Sequence, residues 1–269
     1  MDGKHRGNSP YVSEIDYRML ISQGTARSER INLQLACSLA GIAGALNAAA
    51  FYAVGFFSGN MTGNVSSLSD NLATLHWLRA GFYFAIVVTF VAGSTLSSLL
   101  INAGRRRAIE AIYAYSILAE AILLVPLGAV DLWLNVDWRS SLEILGLAFL
   151  MGLQNATVTR LSDARVRTTH VSGMATDIGV ELGMLVDICR GRESQALAAD
   201  NRSKLALHLG TISAFLVGGI AGVTAYRVIG GYLLLICALV LLAISLTGIR
   251  HARTLTTTAS RRGWRRGGP

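Results

Sequence analysis

The sequence predicts an all-α, polytopic membrane bundle of about six transmembrane helices, arranged as a 3+3 inverted repeat with short broken or re-entrant helices. Three observations predict it. Of the 269 residues, 52% are hydrophobic and only 15% are charged, against roughly 25% charged in soluble domains. The apolar residues gather into six runs near the roughly 20 residues that a spanning helix needs. All but three of the 24 Lys and Arg residues fall in alternate segments between those runs, the bias of a cytoplasmic face.

Ile31 to Phe57 holds no charged residue and is the first span. Ala80 to Ile101 is the second, and Tyr113 to Val130 the third, interrupted only by Glu120. Leu142 to Val158 is the fourth, with Glu143 at its mouth. Leu205 to Tyr226 and Val228 to Ile249 are the fifth and sixth. The runs are continuous rather than alternating, which disfavours a β-barrel. The first thirty residues are polar and charged, so no cleavable signal peptide is expected and the first span is retained as a signal-anchor type helix.

Basic residues set the orientation. Lys4, Arg6, Arg18, Arg27 and Arg30 precede the first span, and Arg105, Arg106 and Arg107 follow the second. The loop after the fourth span carries Arg160, Arg165, Arg167, Arg190, Arg192, Arg202 and Lys204, and six more arginines follow the sixth. The opposite side has Arg79, Arg139 and Arg227. The pattern predicts a multi-pass membrane protein with both termini cytoplasmic. Residues 1–30 form a cytoplasmic segment, 31–250 the transmembrane domain with halves 31–130 and 142–249, and 251–269 a basic tail expected to be disordered. The tail is either a topology determinant or a ligand for anionic headgroups. Cys37, Cys189 and Cys237 show no metal-ligand spacing, and the first and last are expected to be packing residues.

A short motif recurs. Gly44-Ala45-Leu46-Asn47-Ala48 in the first span and Gly152-Leu153-Gln154-Asn155-Ala156 in the fourth share GxxNA, 108 residues apart. Met61-Thr62-Gly63-Asn64 follows the first copy and Val171-Ser172-Gly173-Met174 the second. Each half thus repeats one order: an Asn-bearing helix, a hydroxyl-Gly turn, then two more helices. Three spans per repeat invert the second copy, so the two turns enter from opposite faces.

These paired segments resemble the two signatures of the YoaK family of bacterial membrane proteins. Gly44 to Asn64 matches the first. Met151 to Ala156, followed by Thr168-Thr169-His170-Val171-Ser172-Gly173, matches the second. The resemblance covers roughly Leu33 to Ile249 and implies a multi-spanning domain of unknown function. In the family pattern an acidic residue often stands where this chain has Asn47. Coupling of transport to a proton or cation through that position is therefore not implied for this member. Ser172-Gly173 is a softer version of the usual Thr-Gly pair.

The candidate substrate-binding residues are Asn47, Thr62, Gly63, Asn64, Asn155, Ser172, Gly173 and Asp177, with Glu120 as a candidate coupling group. A buried amide must find partners in hydrocarbon, so Asn47 and Asn155 either bind solute or join helices. Thr62-Gly63-Asn64 and Ser172-Gly173 suit an unwound, polar backbone segment. Equally, Thr62 or Asn64 would cap a helix through Leu75, and Ser172 one running to Ile188. Asp177 and Glu181 share a helical face as a cation or proton site, or pair with Arg165, Arg167 or Arg190. Glu120 is an intramembrane carboxyl, hence a functional candidate, or a hydrogen-bonded link between helices. Gly218/Gly222 and Gly179/Gly183 form GxxxG pairs expected to allow close helix contact.

No nucleophile elbow, P-loop, HExxH or dinucleotide fingerprint occurs, so an enzyme is not expected, nor is a cofactor or metal. The leading reading is a small-solute or ion transporter. Its rival is a non-transporting scaffold or partner- or lipid-binding protein, whose polar groups only join helices. A continuous polar cavity distinguishes the first from the second. The expected partners are the lipid bilayer and a small polar solute or ion. A homo-oligomer fits the sequence as well as a monomer, and nucleic acid is not expected.

Overall fold

The computed structural model describes residues 29–109, 111–134 and 138–266, with side chains as far as 254. Among them are eight α-helices and no strand. They are α1 (Glu29–Val54), α2 (Met61–Ala73), α3 (Trp77–Arg106), α4 (Ile112–Trp133), α5 (Arg139–Leu161), α6 (Val171–Cys189), α7 (Ala198–Ile229) and α8 (Tyr232–Arg266). Six of these, all but α2 and α6, are long and apolar enough to cross a membrane. Leu78, Val228, Val217, Leu239 and Ile220 are left exposed on them. That is the expected surface where the surrounding solvent is lipid. The chain is a membrane-spanning helical protein.

Several boundaries differ from the sequence expectation. The second and fifth spans extend at both ends, to Trp77–Arg106 and Ala198–Ile229. Hydropathy marks only the apolar middle, whereas the helix continues through its polar ends. The first span stops at Val54, because Gly55 adopts φ +78° and its N–H donates to the Phe51 carbonyl at 2.8 Å. A left-handed glycine just past the last helical residue ends a helix in this way. Gly230, at φ +54°, separates α7 from α8 likewise. The last helix runs past Ile249 as far as Arg266. The basic tail falls on its final turns and on 267–269; side chains beyond 254 lie outside the described residues, as do Lys4, Arg6, Arg18 and Arg27.

The helices pack in matched pairs. α1 lies along α7, α3 along α5, and α4 along α8. The short α2 rests on α3, as α6 rests on α7. Close approach is made by glycines. A Cβ on Gly44 would strike the Phe215 carbonyl of α7, and one on Gly152 the Phe90 carbonyl of α3. Gly93 meets the Phe149 carbonyl of α5 and Gly218 the Gly41 carbonyl of α1 in the same manner. Without a hydrophobic drive between helices in lipid, such small-residue contacts and polar links supply the attraction. One polar link joins three helices: Thr157 Oγ1 lies 2.8 Å from Ser97 Oγ and 2.6 Å from Ser116 Oγ. The GxxxG pair Gly218/Gly222 makes the close contact expected of it. At Gly179 and Gly183 no described residue lies within 4 Å of an added Cβ, so that pair does not bring helices of this chain together. It faces outward on α6.

Candidate functional site

The region of interest is built at two corners, α1 into α2 and α5 into α6. At the first, the Asn47 side chain reaches from α1 to the segment ahead of α2. Its Oδ1 accepts from the Gly59 N–H at 2.8 Å and from the Ser58 hydroxyl at 3.4 Å. At the second, Asn155 Oδ1 accepts from the hydroxyls of Thr169 at 3.1 Å and Thr168 at 3.3 Å, ahead of α6. Both amides therefore pin an unwound segment to its preceding helix. The two segments also meet: a Cβ on Gly59 would lie 3.4 Å from Thr169 Cγ2.

The helices carrying the hydroxyl-Gly pairs begin two residues earlier than caps at Thr62 and Ser172 would place them. α2 begins at Met61, so Asn60 is its cap, and Asn60 Oδ1 accepts from the Gly63 N–H at 3.0 Å. α6 begins at Val171, with His170 in the cap position. Thr62, Asn64 and Ser172 are first-turn residues rather than caps. Gly63 and Gly173 lie inside regular helix and are not among the positive-φ residues. Their smallness serves another purpose. A Cβ on Gly63 would collide with the Asn60 amide, and one on Gly173 with the His170 ring. Each glycine makes room for the side chain that starts its helix.

Between the corners lies a cavity of about 640 Å³. Asn47, Asn155, Thr62 and Ser172 line it, as the sequence reading suggests. So do Arg167, His170 and Thr169, which that reading left among loop cations or signature residues, and Thr159, which it did not single out. Phe57, Phe90 and Phe215 supply apolar walls. Phe90 and Phe215 stand near the middles of α3 and α7, so the cavity lies about halfway along the spans.

The remaining candidates are near but not on that wall. Asn64 is buried, and its Nδ2 donates to the Phe57 carbonyl at 3.1 Å. Asp177 stands 3.9 Å from His208 Nε2, while Glu181 Oε1 is 2.9 Å from His208 Nδ1. The acidic pair of α6 thus contacts a histidine of α7, and Asp177 shares a pocket lining with Arg165 and Arg167 without an ion pair to either. An arginine on the connecting loops is close in sequence, but α7 packs directly on the acidic face. Glu120 is fully buried and accepts from Gln154 Nε2 at 2.8 Å. The Thr168 hydroxyl, with its one proton, is shared between Asn155 Oδ1 and Gln154 Oε1, the latter at 3.2 Å. Thr168 is the residue shared with Asn155, so one hydrogen-bonded chain links the Glu120 carboxyl to the cavity wall. Glu120 Oε2 has no partner among the described residues.

Family comparison covers this whole arrangement. The profile of DUF1275, described as a protein of unknown function, matches residues 35–247. The chain belongs to the DUF1275 family. YoaK-like membrane proteins belong to it as well, in agreement with the paired signatures. The matched span of DUF1275 takes in both Asn-bearing corners, α3, α4 and α7, and the first part of α8. No curated protein and no solved structure matches the chain.

Proposed function

We propose that this DUF1275 protein is a transporter, not an enzyme or scaffold, that carries a small solute or ion across the cytoplasmic membrane. One observation carries the reading: a cavity about halfway along the spans is lined by corresponding polar residues of both halves. A scaffold needs its polar groups satisfied and its interior closed. Here Asn47, Thr62, Asn155 and Ser172 border open volume instead.

The two halves are inverted repeats, each extended by one short helix. α1, α2, α3 and α4 correspond to α5, α6, α7 and α8. Under that exchange the α1/α7 contact becomes α5/α3, the α2/α3 contact becomes α6/α7, and α4/α8 maps onto itself. The crossing glycines obey the same exchange: Gly44 on Phe215 becomes Gly152 on Phe90, and Gly218 on Gly41 becomes Gly93 on Phe149. Both termini are cytoplasmic, as the arginine distribution favours. Repeats of this kind rock about a central site to give alternating access, with short helices directing their N-terminal dipoles at it. Superposition of the halves after inversion tests the symmetry.

Glu120 is the coupling group. Its carboxyl is tied to the cavity through Gln154, Thr168 and Asn155, so its protonation and the solute bias one hydrogen-bonded network. Glu120→Gln keeps the network and removes the charge change. It is expected to leave solute counterflow intact and to abolish accumulation driven by a proton gradient.

Side-specific labelling tests transport without knowledge of the solute. In a background with Cys37, Cys189 and Cys237 replaced by serine, Ser172→Cys is reconstituted in vesicles. A transporter exposes this position to an impermeant maleimide from either compartment in turn. Protection from both sides would favour the scaffold.

A further inference from the structure

The substrate class follows from which polar groups of the cavity are already spent. This step rests on the transport reading. Asn47 is only 7% exposed. The Gly59 backbone N–H beside it can only donate, so the side-chain oxygen must face that group. Its Nδ2 is thereby turned away, with no partner among the described residues, at a wall of the cavity. The other two amides of the lining are spent differently. Asn155 Oδ1 receives two threonine hydroxyls, and Asn60 Oδ1 receives the Gly63 N–H. Every side-chain amide oxygen of the lining is consumed within the protein.

The charged groups lean the same way. Arg167 is the one permanently charged side chain lining this cavity; Asp177 shares a lining with Arg167 and His170 only in an adjoining pocket of about 250 Å³. His170 Nδ1 lies 3.4 Å from the Arg167 guanidinium. The first turn of α6 opens on the same space with no side-chain cap bond from His170. Backbone N–H groups at a helix start favour an anion. The Arg167 side chain is exposed and so accessible to an anion entering the cavity, and its planar guanidinium matches a carboxylate or phosphate headgroup. The unspent amide nitrogen, the guanidinium and the helix start are therefore donors or positive, and the hydroxyls of Thr62, Thr159 and Ser172 can donate as well as accept.

The rest of the wall is aromatic. Phe90 and Phe215 come from corresponding places on α3 and α7, and Phe57 completes the set. A volume of about 640 Å³ holds more than an inorganic ion needs and lies in the range of sites for small organic ligands.

We propose that the transported solute is a small organic anion with an apolar or aromatic body. Arg167, the Asn47 amide nitrogen and the first turn of α6 bind its headgroup, and Phe57, Phe90 and Phe215 enclose its body.

Calorimetry on the full chain in lipid nanodiscs, at constant ionic strength, tests this with five probes. Benzoate, benzenesulfonate and phenyl phosphate carry both features. Benzyltrimethylammonium reverses the charge, and sulfate lacks the apolar body. At least one aromatic anion is expected to bind tenfold or more tighter than either control. Arg167→Gln should remove at least tenfold of that affinity and Arg167→Lys should restore part of it. Phe215→Ala should weaken the aromatic anion and leave sulfate unchanged. No binding by any aromatic anion, equal binding of the cation, or indifference to Arg167→Gln would overturn the proposal. Sulfate binding as tightly as the aromatic anions would overturn its apolar half. Counterflow in vesicles separates the two layers. An anion bound but not carried sinks transport and leaves the anion site standing, whereas a carried cation sinks the anion site and leaves transport standing.

Discussion

The corner of α1 and α2 and the corner of α5 and α6 place an asparagine, an unwound segment and a short helix in the same order, yet they use the asparagine differently. Asn47 grips a backbone N–H and keeps its nitrogen free. Asn155 receives two hydroxyls through Oδ1 and gives its nitrogen to the Met151 carbonyl at 2.8 Å. Asn60 caps α2 with a side-chain oxygen, whereas His170 makes no such bond to α6. The first corner thus spends its amide oxygens on its own backbone and keeps amide nitrogens as donors. The second carries Arg167, His170, the link to Glu120, and the His208–Glu181 contact. Shared geometry fixes where the corners meet. Unshared chemistry decides which one carries charge.

The largest expected effect tests the shared part. Gly44→Ala and Gly152→Ala each force a methyl group into a helix backbone carbonyl across the interface. A backbone atom cannot swing aside like the end of a flexible side chain, so the paired helices must separate. Each is expected to destabilise by about 3 kcal/mol, the upper part of the overpacking range. Thermal unfolding in detergent, with monodispersity by size exclusion, measures both. If one is lost and the other tolerated, the two crossings are not equivalent and the inverted-repeat reading weakens. Gly179→Ala and Gly183→Ala, which meet open space, serve as controls expected within about 0.5 kcal/mol of wild type.

The next effect tests the unshared part. Asn47→Ala strands a buried backbone N–H at Gly59, a loss of roughly 1–3 kcal/mol. Asn155→Ala frees two hydroxyls that rotate, and Thr168 keeps Gln154 as acceptor at 3.2 Å. It is expected to cost under about 1 kcal/mol. Both variants should lose solute flux. Equal melting temperatures for the two would show that the asparagines do the same structural work after all.

Much of this architecture was legible in the sequence because it depends on local pattern. The spans follow from apolar runs, and the paired corners follow from GxxNA and the hydroxyl-Gly pairs. What stayed hidden depends on contacts between distant segments. Gln154 stands beside Asn155 in a visible motif, but its partner Glu120 is on another helix. Arg167 counted as one more cytoplasmic cation, since positive-inside statistics treat loop arginines alike. Only the fold turns it toward the cavity. Gly63 and Gly173 suggested unusual backbone angles because glycine permits them. Their actual reason, room for the Asn60 and His170 side chains, appears only once the helix starts are fixed two or more residues upstream.

The smallest expected effect concerns the acidic pair of α6, which has no counterpart in the first corner. Asp177 is 57% exposed in its side chain and 3.9 Å from His208, whereas the Glu181 side chain is 7% exposed and 2.9 Å from the same ring. Exposed pairs at that separation contribute from nothing to about 1 kcal/mol. Asp177 also lies outside the lining of the central cavity. Asp177→Asn should therefore leave the melting temperature within error and change aromatic-anion affinity less than twofold. Glu181→Gln, at the better-buried contact, should shift the melting temperature measurably without changing affinity. Should Asp177→Asn instead reduce affinity tenfold, the binding site would extend along α6 toward His208. The second corner would then carry part of the solute path as well as its charge, a larger asymmetry than the cavity alone implies.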